Sequence, residues 1–194
     1  MAKGRLEAFS DGVIAIILTI MALEMKVPHG DDLDALTPVL PVLLGYLLSF
    51  VYIGIYWNNH HHMLHATRQI DGRVMWANLH LLFWLSLVPV ATGWLGEHPH
   101  AAWPSAVYGI LLFMAATAYT LLQWAIVALN GRESILARAV GADIKGKISL
   151  GLYAVAIGAA FVSPLTSQGL YTVVALIWFI PDPRIEKAIG SRGT

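Results

Sequence analysis

The sequence predicts an all-α, polytopic membrane protein with six transmembrane helices in a single domain, residues 1–194. Of the 194 residues, 57% are hydrophobic and 12% are charged, whereas a soluble domain carries about twice that share of charged residues. Several uncharged runs also reach the about 20 residues that a helix needs to cross a bilayer. These observations exclude the soluble globular and the disordered classes.

Each predicted helix rests on an uncharged run. The first contains the short apolar run from Gly12 to Leu23, and three longer runs give the next three helices. The uncharged stretch from Ile148 to Pro181 is too long for one crossing at about 1.5 Å per residue. Its middle, Ser163 to Gly169, has the composition of a turn, which divides it into two helices. The predicted ranges are about 5–27, 35–60, 74–96, 101–130, 146–163 and 168–181.

A charged N-terminus followed by a short apolar run is also the pattern of a cleaved signal peptide. No small-x-small cleavage site follows here, because Ala22 is succeeded by Leu23, Glu24, Met25 and Lys26. We therefore expect the first helix to stay in the protein, shielded by its neighbours.

The positive charges predict the orientation, because Lys and Arg accumulate on the cytoplasmic side of a membrane. Eleven of the 12 lie on one side of the six-helix plan, and only Lys26 lies opposite. The eleven are Lys3, Arg5, Arg68, Arg73, Arg132, Arg138, Lys145, Lys147, Arg184, Lys187 and Arg192. We expect a multi-pass protein of the cell (inner or plasma) membrane with both termini in the cytoplasm. Trp57, towards an inner helix end, is expected among the interfacial aromatic residues.

Charge and cysteine content exclude several function classes. Lys plus Arg equals Asp plus Glu at 12 each, so there is no basic footprint for nucleic acid. The absence of cysteine removes thiolate nucleophiles and Cys-ligated metal sites. We expect function to lie in the helices and their short connections.

The first helix presents two different faces. At about 100° per residue, Ile16, Thr19 and Leu23 fall within about 60° of one another, while Ser10 and Asp11 point about 120° to 140° away from Ile16. Ionisable residues at membrane depth are functional candidates by default. From spacing alone, the stripe of Ile16, Thr19 and Leu23 is more typical of ordinary helix packing.

Several short motifs carry a resemblance to a known family. Arg5, Phe9, Ser10 and Asp11 form the pattern R-x-x-x-F-S-D at the start of the first helix. Further along stand Trp57-x-x-His60-His61, Asn78 and Ser86-Leu87-Val88-Pro89. Together they resemble the transmembrane protein 175 family of potassium channels, and the likeness extends over nearly the whole chain.

The resemblance implies a homotetramer in the lipid bilayer, with a pore lined by the first helix of each subunit. It implies passive conduction with potassium as the permeant ion, no cofactor, no resident metal and no enzyme activity. The constriction residues of the family lie five, eight and twelve positions after the motif aspartate. Those positions are Ile16, Thr19 and Leu23, the stripe that the helical wheel selects independently. The sequence contains no TVGYG carbonyl filter, in agreement with this family.

The residue types suggest how such a pore would work. A ring of isoleucines opposes cations through their dehydration cost, and a ring of threonine hydroxyls can replace part of the hydration shell. Negative charge at the outer end would raise the local cation concentration. The candidates are Glu24, Asp31, Asp32 and Asp34, for which a solvated loop is the alternative interpretation.

The resemblance also implies residues that brace the pore helix. Because Asp11 points away from the stripe, we expect it to hold the helix, with Arg5, His60 or His61, and Asn78 as partners. Phe9 and Ser10 complete the motif. On an ideal helix Arg5 lies near the pore direction, so its pairing needs a bend, a later helix start or another subunit.

Four histidines, His60, His61, His62 and His65, leave three interpretations open: a metal or haem site, a packed or solvated helix end, and motif bracing. His61 and His65 could chelate a metal because residues at i and i+4 share a helix face. The competing functions are accordingly a proton-permeable or proton-coupled transporter and a His-based membrane redox or metal protein.

Overall fold

A computed structural model describes residues 3–131, 133–141 and 143–179. Within these ranges all regular secondary structure is helical, which confirms the all-α class. The α-helices are α1 (Lys3–Leu23), α2 (Leu40–His65), α3 (Gly72–Ser86), α4 (Val88–Glu97), α5 (Ala102–Asn130), α6 (Ile135–Val140), α7 (Ile144–Ala159) and α8 (Pro164–Phe179), and a 3-10 helix, Leu33–Val39, leads into α2. Four helical stretches are long and apolar enough to cross a membrane: Lys3–Leu23, Leu33–His65, Gly72–Glu97 and Ala102–Asn130.

The third predicted helix is interrupted at Leu87, between α3 and α4. Pro89 explains the break, because a proline has no N–H to continue the helical ladder and its ring clashes with the carbonyl group four residues earlier. The Leu87 N–H donates instead to the Trp84 carbonyl oxygen in a tighter turn. The two halves therefore keep one general path but are separate helices.

Other helix limits also differ from the sequence expectation. The first helix ends at Leu23 rather than near residue 27, ahead of Pro28, and the second continues to His65 rather than residue 60. The short helix α6 was not predicted. The basic residues Arg132, Arg184, Lys187 and Arg192, on which part of the orientation argument rests, lie outside the described residues.

Aspartate caps begin three of the helical segments. Asp71 accepts from the Val74 N–H at the start of α3, and Asp32 accepts from the Ala35 N–H at the start of the 3-10 helix. Asp143 accepts from the Gly146 N–H at 3.2 Å and starts α7 from a left-handed backbone conformation, φ 44°. Side-chain oxygens at this position satisfy backbone donors that the helix leaves unpaired.

The helices pack around α5, which contacts α3, α4, α7 and α8. Hydroxyl groups link the interior: Ser49 Oγ on α2 lies 2.6 Å from Thr92 Oγ1 on α4 and 2.9 Å from Tyr108 Oη on α5. Tyr171 of α8 lies against Gly109 of α5. A Cβ atom added at Gly109 would lie 2.0 Å from the tyrosine oxygen. Small residues of this kind let membrane helices approach closely. The helix α1 stands at one edge of this bundle, in contact with α2, α3 and α4.

Candidate pore helix and its anchor

One face of α1 is packed inside the chain. Ile14 is 1% exposed, Ile17 is 4% exposed and Met21 is 2% exposed, and Leu6 and Ser10 continue the same face towards the N-terminus. These positions recur at spacings of three and four residues, as one face of an α-helix requires. This side of α1 is therefore its attachment to the bundle.

The opposite face carries the predicted stripe and is uncovered. Ile16 is 58% exposed and Leu23 is 84% exposed, and Thr19 between them is exposed as well. Ile20 and Gly12 extend this surface. We call Ile16, Thr19 and Leu23 the exposed stripe. It is the side of α1 that the rest of the described chain leaves open.

The hydroxyl of Thr19 has a defined local arrangement. It donates a hydrogen bond of 2.8 Å to the Ile16 carbonyl oxygen. Since a hydroxyl has one hydrogen and two acceptor lone pairs, the remaining polar capacity of this side chain is that of an acceptor. The only hydroxyl of the exposed stripe can therefore face a cation as an oxygen ligand.

A buried chain of hydrogen bonds ties α1 to its neighbours. Ser10 Oγ donates to the Leu6 carbonyl oxygen at 2.8 Å and accepts from Asn78 Nδ2 at 2.9 Å. Asn78 Oδ1 lies 2.6 Å from His60 Nε2. Because that amide oxygen can only accept, His60 donates through Nε2. We call Ser10, Asn78 and His60 the anchor; all three are buried and they join α1, α3 and α2.

Asp11 has a different partner from those expected. Its Oδ1 accepts a hydrogen bond of 3.0 Å from the Nε1 of Trp57 on α2. Trp57 and His60 are three residues apart, so they lie on neighbouring positions of one helix face. Asp11 therefore meets α2 directly, whereas Ser10, the residue before it, reaches His60 only through Asn78. The expected pairing with Arg5, His60, His61 or Asn78 is thus replaced by an indole donor.

Trp57 is the contact residue that sequence reasoning missed. It was assigned to the membrane interface because of its place near a helix end. The available signal was its spacing from His60 within Trp57-x-x-His60-His61.

Three residues expected to brace α1 stand apart from the anchor. Arg5, Phe9 and His61 are exposed, and within the described ranges no ion pair joins Arg5 to Asp11. The ion pair on this turn is Lys3 with Glu7, at 3.6 Å. The imidazole of His61 lies parallel to that of His65, with ring centroids 6.1 Å apart.

The histidine patch divides between two environments. His60 is buried in the anchor, whereas His61 and His65 are exposed. Among the residues that the structure describes, no three His, Asp or Glu side chains come together in a way that could hold a metal ion. Two histidines at i and i+4 are fewer protein ligands than the three or four of ordinary zinc sites.

The acidic residues at the opposite end of α1 are all exposed. Asp31 and Asp34 lie in and beside the 3-10 helix, where Asp32 acts as its cap. Glu24 lies beside Gly93, in the second half of α4. Close to it, Lys26 pairs with Glu97 at 2.6 Å. Exposed negative side chains and one ion pair therefore follow the exposed stripe along the chain.

Comparison with known proteins identifies relatives of this chain. The model of the family described as "Endosomal/lysosomal potassium channel TMEM175" matches residues 5–89. A protein named potassium channel from Chryseobacterium sp. (strain P1-3) is 52% identical over 97% of this chain and 98% of its own. The crystal structure of a lysosomal potassium-selective channel TMEM175 homolog from Chamaesiphon minutus has a TM-score of 0.79 and 30% identity, covering 93% of this chain and 97% of that one. A chicken protein named endosomal/lysosomal proton channel TMEM175 is 30% identical over 87% of this chain and 37% of its own length.

Proposed function

This chain belongs to the TMEM175 family, and on that premise we propose that it is a potassium-preferring cation channel of the cell membrane that conducts passively. The observation that carries the proposal is the exposed stripe. Its residues are apolar except for one hydroxyl, they lie on the helix that begins with the family motif, and nothing in the described chain covers them. Two large apolar side chains and one hydroxyl oxygen on a single open face are what a hydrophobic constriction with one oxygen ring would need.

We propose a homotetramer in which four copies of α1 surround the pore and each subunit crosses the bilayer six times. The crossings are α1, α2, the α3 and α4 pair, α5, α7 and α8, with both termini in the cytoplasm. Assembly would bring the four exposed stripes together around a central path of the width of an ion. The named homologues and the family support a multi-pass channel of this type.

Ile16 would form the hydrophobic constriction in place of a carbonyl filter. Four isoleucine side chains offer no ligand to an ion, so a hydrated cation meets its dehydration cost there, and a narrow apolar ring can also gate by losing its water. Leu23 would form a second apolar ring nearer the outer mouth. This mechanism needs no cofactor or bond-breaking chemistry, in keeping with a channel rather than an enzyme.

Thr19 would supply the potassium preference. With its hydrogen directed to the Ile16 carbonyl oxygen, each threonine presents an oxygen to the passing ion. Potassium sheds water more readily than the smaller sodium ion, so a partial oxygen ring favours potassium modestly. Outside this ring, Glu24 and the Asp31, Asp32 and Asp34 cluster would attract cations to the mouth.

The anchor and Asp11 would hold each pore helix at a fixed rotation. Ser10, Asn78 and His60 are completely or almost completely buried, so loss of one partner would leave buried polar groups without hydrogen bonds. Phe9, Arg5 and His61 belong to the same region of the motif, and we assign them to contacts that form in the tetramer.

Potassium flux tests the proposal. Purified protein in potassium-loaded liposomes diluted into sodium buffer should release potassium without substrate or coupling ion. Leu23→Arg should abolish the flux, because four positive charges would stand at the pore mouth. Leu36→Arg is the matched control, since Leu36 is also exposed at the outer end but lies off the pore helix. Equal flux in both variants, or no flux above protein-free liposomes, would overturn the pore assignment.

A second candidate function is proton permeation, which the name of the chicken relative favours. Proton conduction along the same path would shift the reversal potential when only the pH gradient is changed. A reversal potential that follows potassium alone would exclude it under those conditions.

A further inference from the structure

A small cavity lies away from the pore helix, between the second half of α2, the middle of α5, the start of α7 and the end of α8. Its volume is about 40 Å³. One water needs about 10 to 15 Å³ on the same measure, so the cavity has room for about three water-sized groups. No part of the proposed conduction mechanism uses it.

Five of the twelve residues that line the cavity are aromatic. They are Tyr52, Tyr56, Tyr119, Tyr153 and Trp178. Tyr56 and Tyr119 meet edge to face, with centroids 6.1 Å apart, and Tyr52 and Tyr153 are 6.4 Å apart. Groups of aromatic rings around a small space bind organic cations, because the ring faces carry partial negative charge.

One carboxylate completes the wall. Asp143 is the only charged residue among the described residues that line the cavity. One of its oxygens, Oδ1, caps α7 by accepting from the Gly146 N–H. The other oxygen, Oδ2, takes no part in this cap. Gly146 is necessary for this placement, because an added Cβ there would lie 2.4 Å from Oδ2.

Three other polar side chains of the wall donate their hydrogens within the protein. The Thr120 hydroxyl donates to the Ala116 carbonyl oxygen, and the Ser149 hydroxyl donates to the Lys145 carbonyl oxygen. The indole N–H of Trp178 donates to Ser149 Oγ.

Asn59 donates one amide N–H to the Ile55 carbonyl oxygen, and its amide oxygen is an acceptor. Asp143, Asn59 and Thr120 therefore offer oxygen acceptors to an occupant. A ligand that suits them must bring its own donors.

From these features we propose that the cavity binds a small primary alkylammonium ion, of the size of methylammonium. Its –NH₃⁺ group has three donors, which match the acceptors of Asp143, Asn59 and Thr120. Its alkyl part lies against the tyrosine and tryptophan rings. A calcium-like inorganic cation takes about six to eight oxygen ligands, more than this partly aromatic wall provides.

Binding of radiolabelled methylammonium to the purified wild-type protein tests the proposal at constant ionic strength. We expect saturable binding that methanol, a neutral molecule of similar size, does not displace. Asp143→Asn should weaken binding at least tenfold, since asparagine keeps the cap and tolerates the left-handed backbone but lacks the charge. Asp71→Asn, which alters an equivalent cap at the start of α3, should leave binding unchanged.

A pair of substitutions at Tyr56 gives a second binding test that does not depend on Asp143. Tyr56→Phe keeps the ring and should bind within about twofold of the wild type, whereas Tyr56→Leu should weaken binding about three- to tenfold. Absent saturable binding would overturn the site, and so would equal competition from potassium or methanol. Equal affinity in Asp143→Asn would overturn it too, because binding would then not involve this carboxylate. None of these readings depends on conduction, so they are distinct from the flux test.

Discussion

The Nε1 atom of Trp57 lies 3.0 Å from Oδ1 of Asp11, and this hydrogen bond attaches the motif aspartate of α1 to α2. One residue earlier, Ser10 is held through Asn78 by His60, which is three positions beyond Trp57. Two adjacent residues of α1 are thus fixed by two neighbours: Asp11 by α2, and Ser10 by α3, whose Asn78 is bonded in turn to α2. This double attachment sets the rotation of α1 and with it the direction of the exposed stripe.

Trp57→Phe should weaken the attachment while keeping an aromatic ring in place. Loss of a donor to a charged group should lower the free energy of unfolding by about 1.5 to 3 kcal/mol at most, less where water replaces the indole. Thermal unfolding in detergent measures this. Trp94→Phe is the control, because Trp94 is an exposed tryptophan of the same protein on α4; equal effects of the two changes would contradict the role of the Asp11 bond.

Asn78→Leu should damage folding or assembly strongly. It removes the central member of the anchor and leaves Ser10 and His60 without their shared partner, at about 1 to 3 kcal/mol for each unsatisfied group. A double-mutant cycle with His60→Phe isolates the interaction, because residues of one network are coupled rather than additive. Strict additivity of the two losses would refute the hydrogen-bonded chain.

Ile16→Asn should increase the basal current. The amide wets the apolar constriction, and about 1.4 kcal/mol removed from a limiting barrier raises flux about tenfold. Ile14→Asn is the contrasting change: Ile14 is 1% exposed, so an amide there should reduce the amount of assembled protein instead. Patch recording of both variants separates these outcomes, and an unchanged current in well-assembled Ile16→Asn channels would remove Ile16 from the constriction.

Thr19→Val should reduce the preference for potassium over sodium without closing the pore, because valine keeps the shape and lacks the oxygen. Thr19→Ser should retain the preference, since serine also can donate to the carbonyl four or three residues earlier and present its oxygen. Reversal potentials under potassium and sodium gradients give the answer. Identical potentials for the valine and serine variants would exclude the hydroxyl as the selective group.

The predicted orientation can be read by chemical labelling, for which the lack of any native cysteine gives a clean background. His98→Cys, just beyond the end of α4, should react with an impermeant thiol reagent added outside the cell. Ser134→Cys, before α6, should react only after the membrane is made permeable. The opposite pattern would invert the topology.

Sequence periodicity predicted the two faces of α1 because helical spacing alone decides which residues share a side. It could not predict the contact of Trp57 with Asp11, because packing sets the relative rotation of two helices that are distant in the chain. The meeting of Ser10, His60 and Asn78 was anticipated only through the family motif. No local pattern marks a hydrogen bond between residues 68 positions apart.

The helix limits and the interior contacts show a second kind of difference between what the sequence predicts and what the structure contains. The break at Leu87 was visible in principle, because Pro89 lies inside an otherwise uninterrupted apolar run. The linked hydroxyls of Ser49, Thr92 and Tyr108 were not, because each sits singly in a different helix and none disturbs the hydropathy of its run. Isolated hydroxyl residues in membrane helices gain meaning only from the helix opposite.

The kind of contact that attaches α1 differs along its length, so this helix can tilt about its first turns. Its first turns carry directional polar bonds at Ser10 and Asp11, whereas the turns from Ile14 to Met21 rest on non-directional apolar contacts. From Ser10 to Leu23 is about 20 Å at about 1.5 Å per residue. A tilt of about 5° about the bonded turns therefore moves the far end by almost 2 Å and Ile16 by less than half of that. Amide hydrogen exchange should accordingly be slowest near Ser10 and fastest near Leu23.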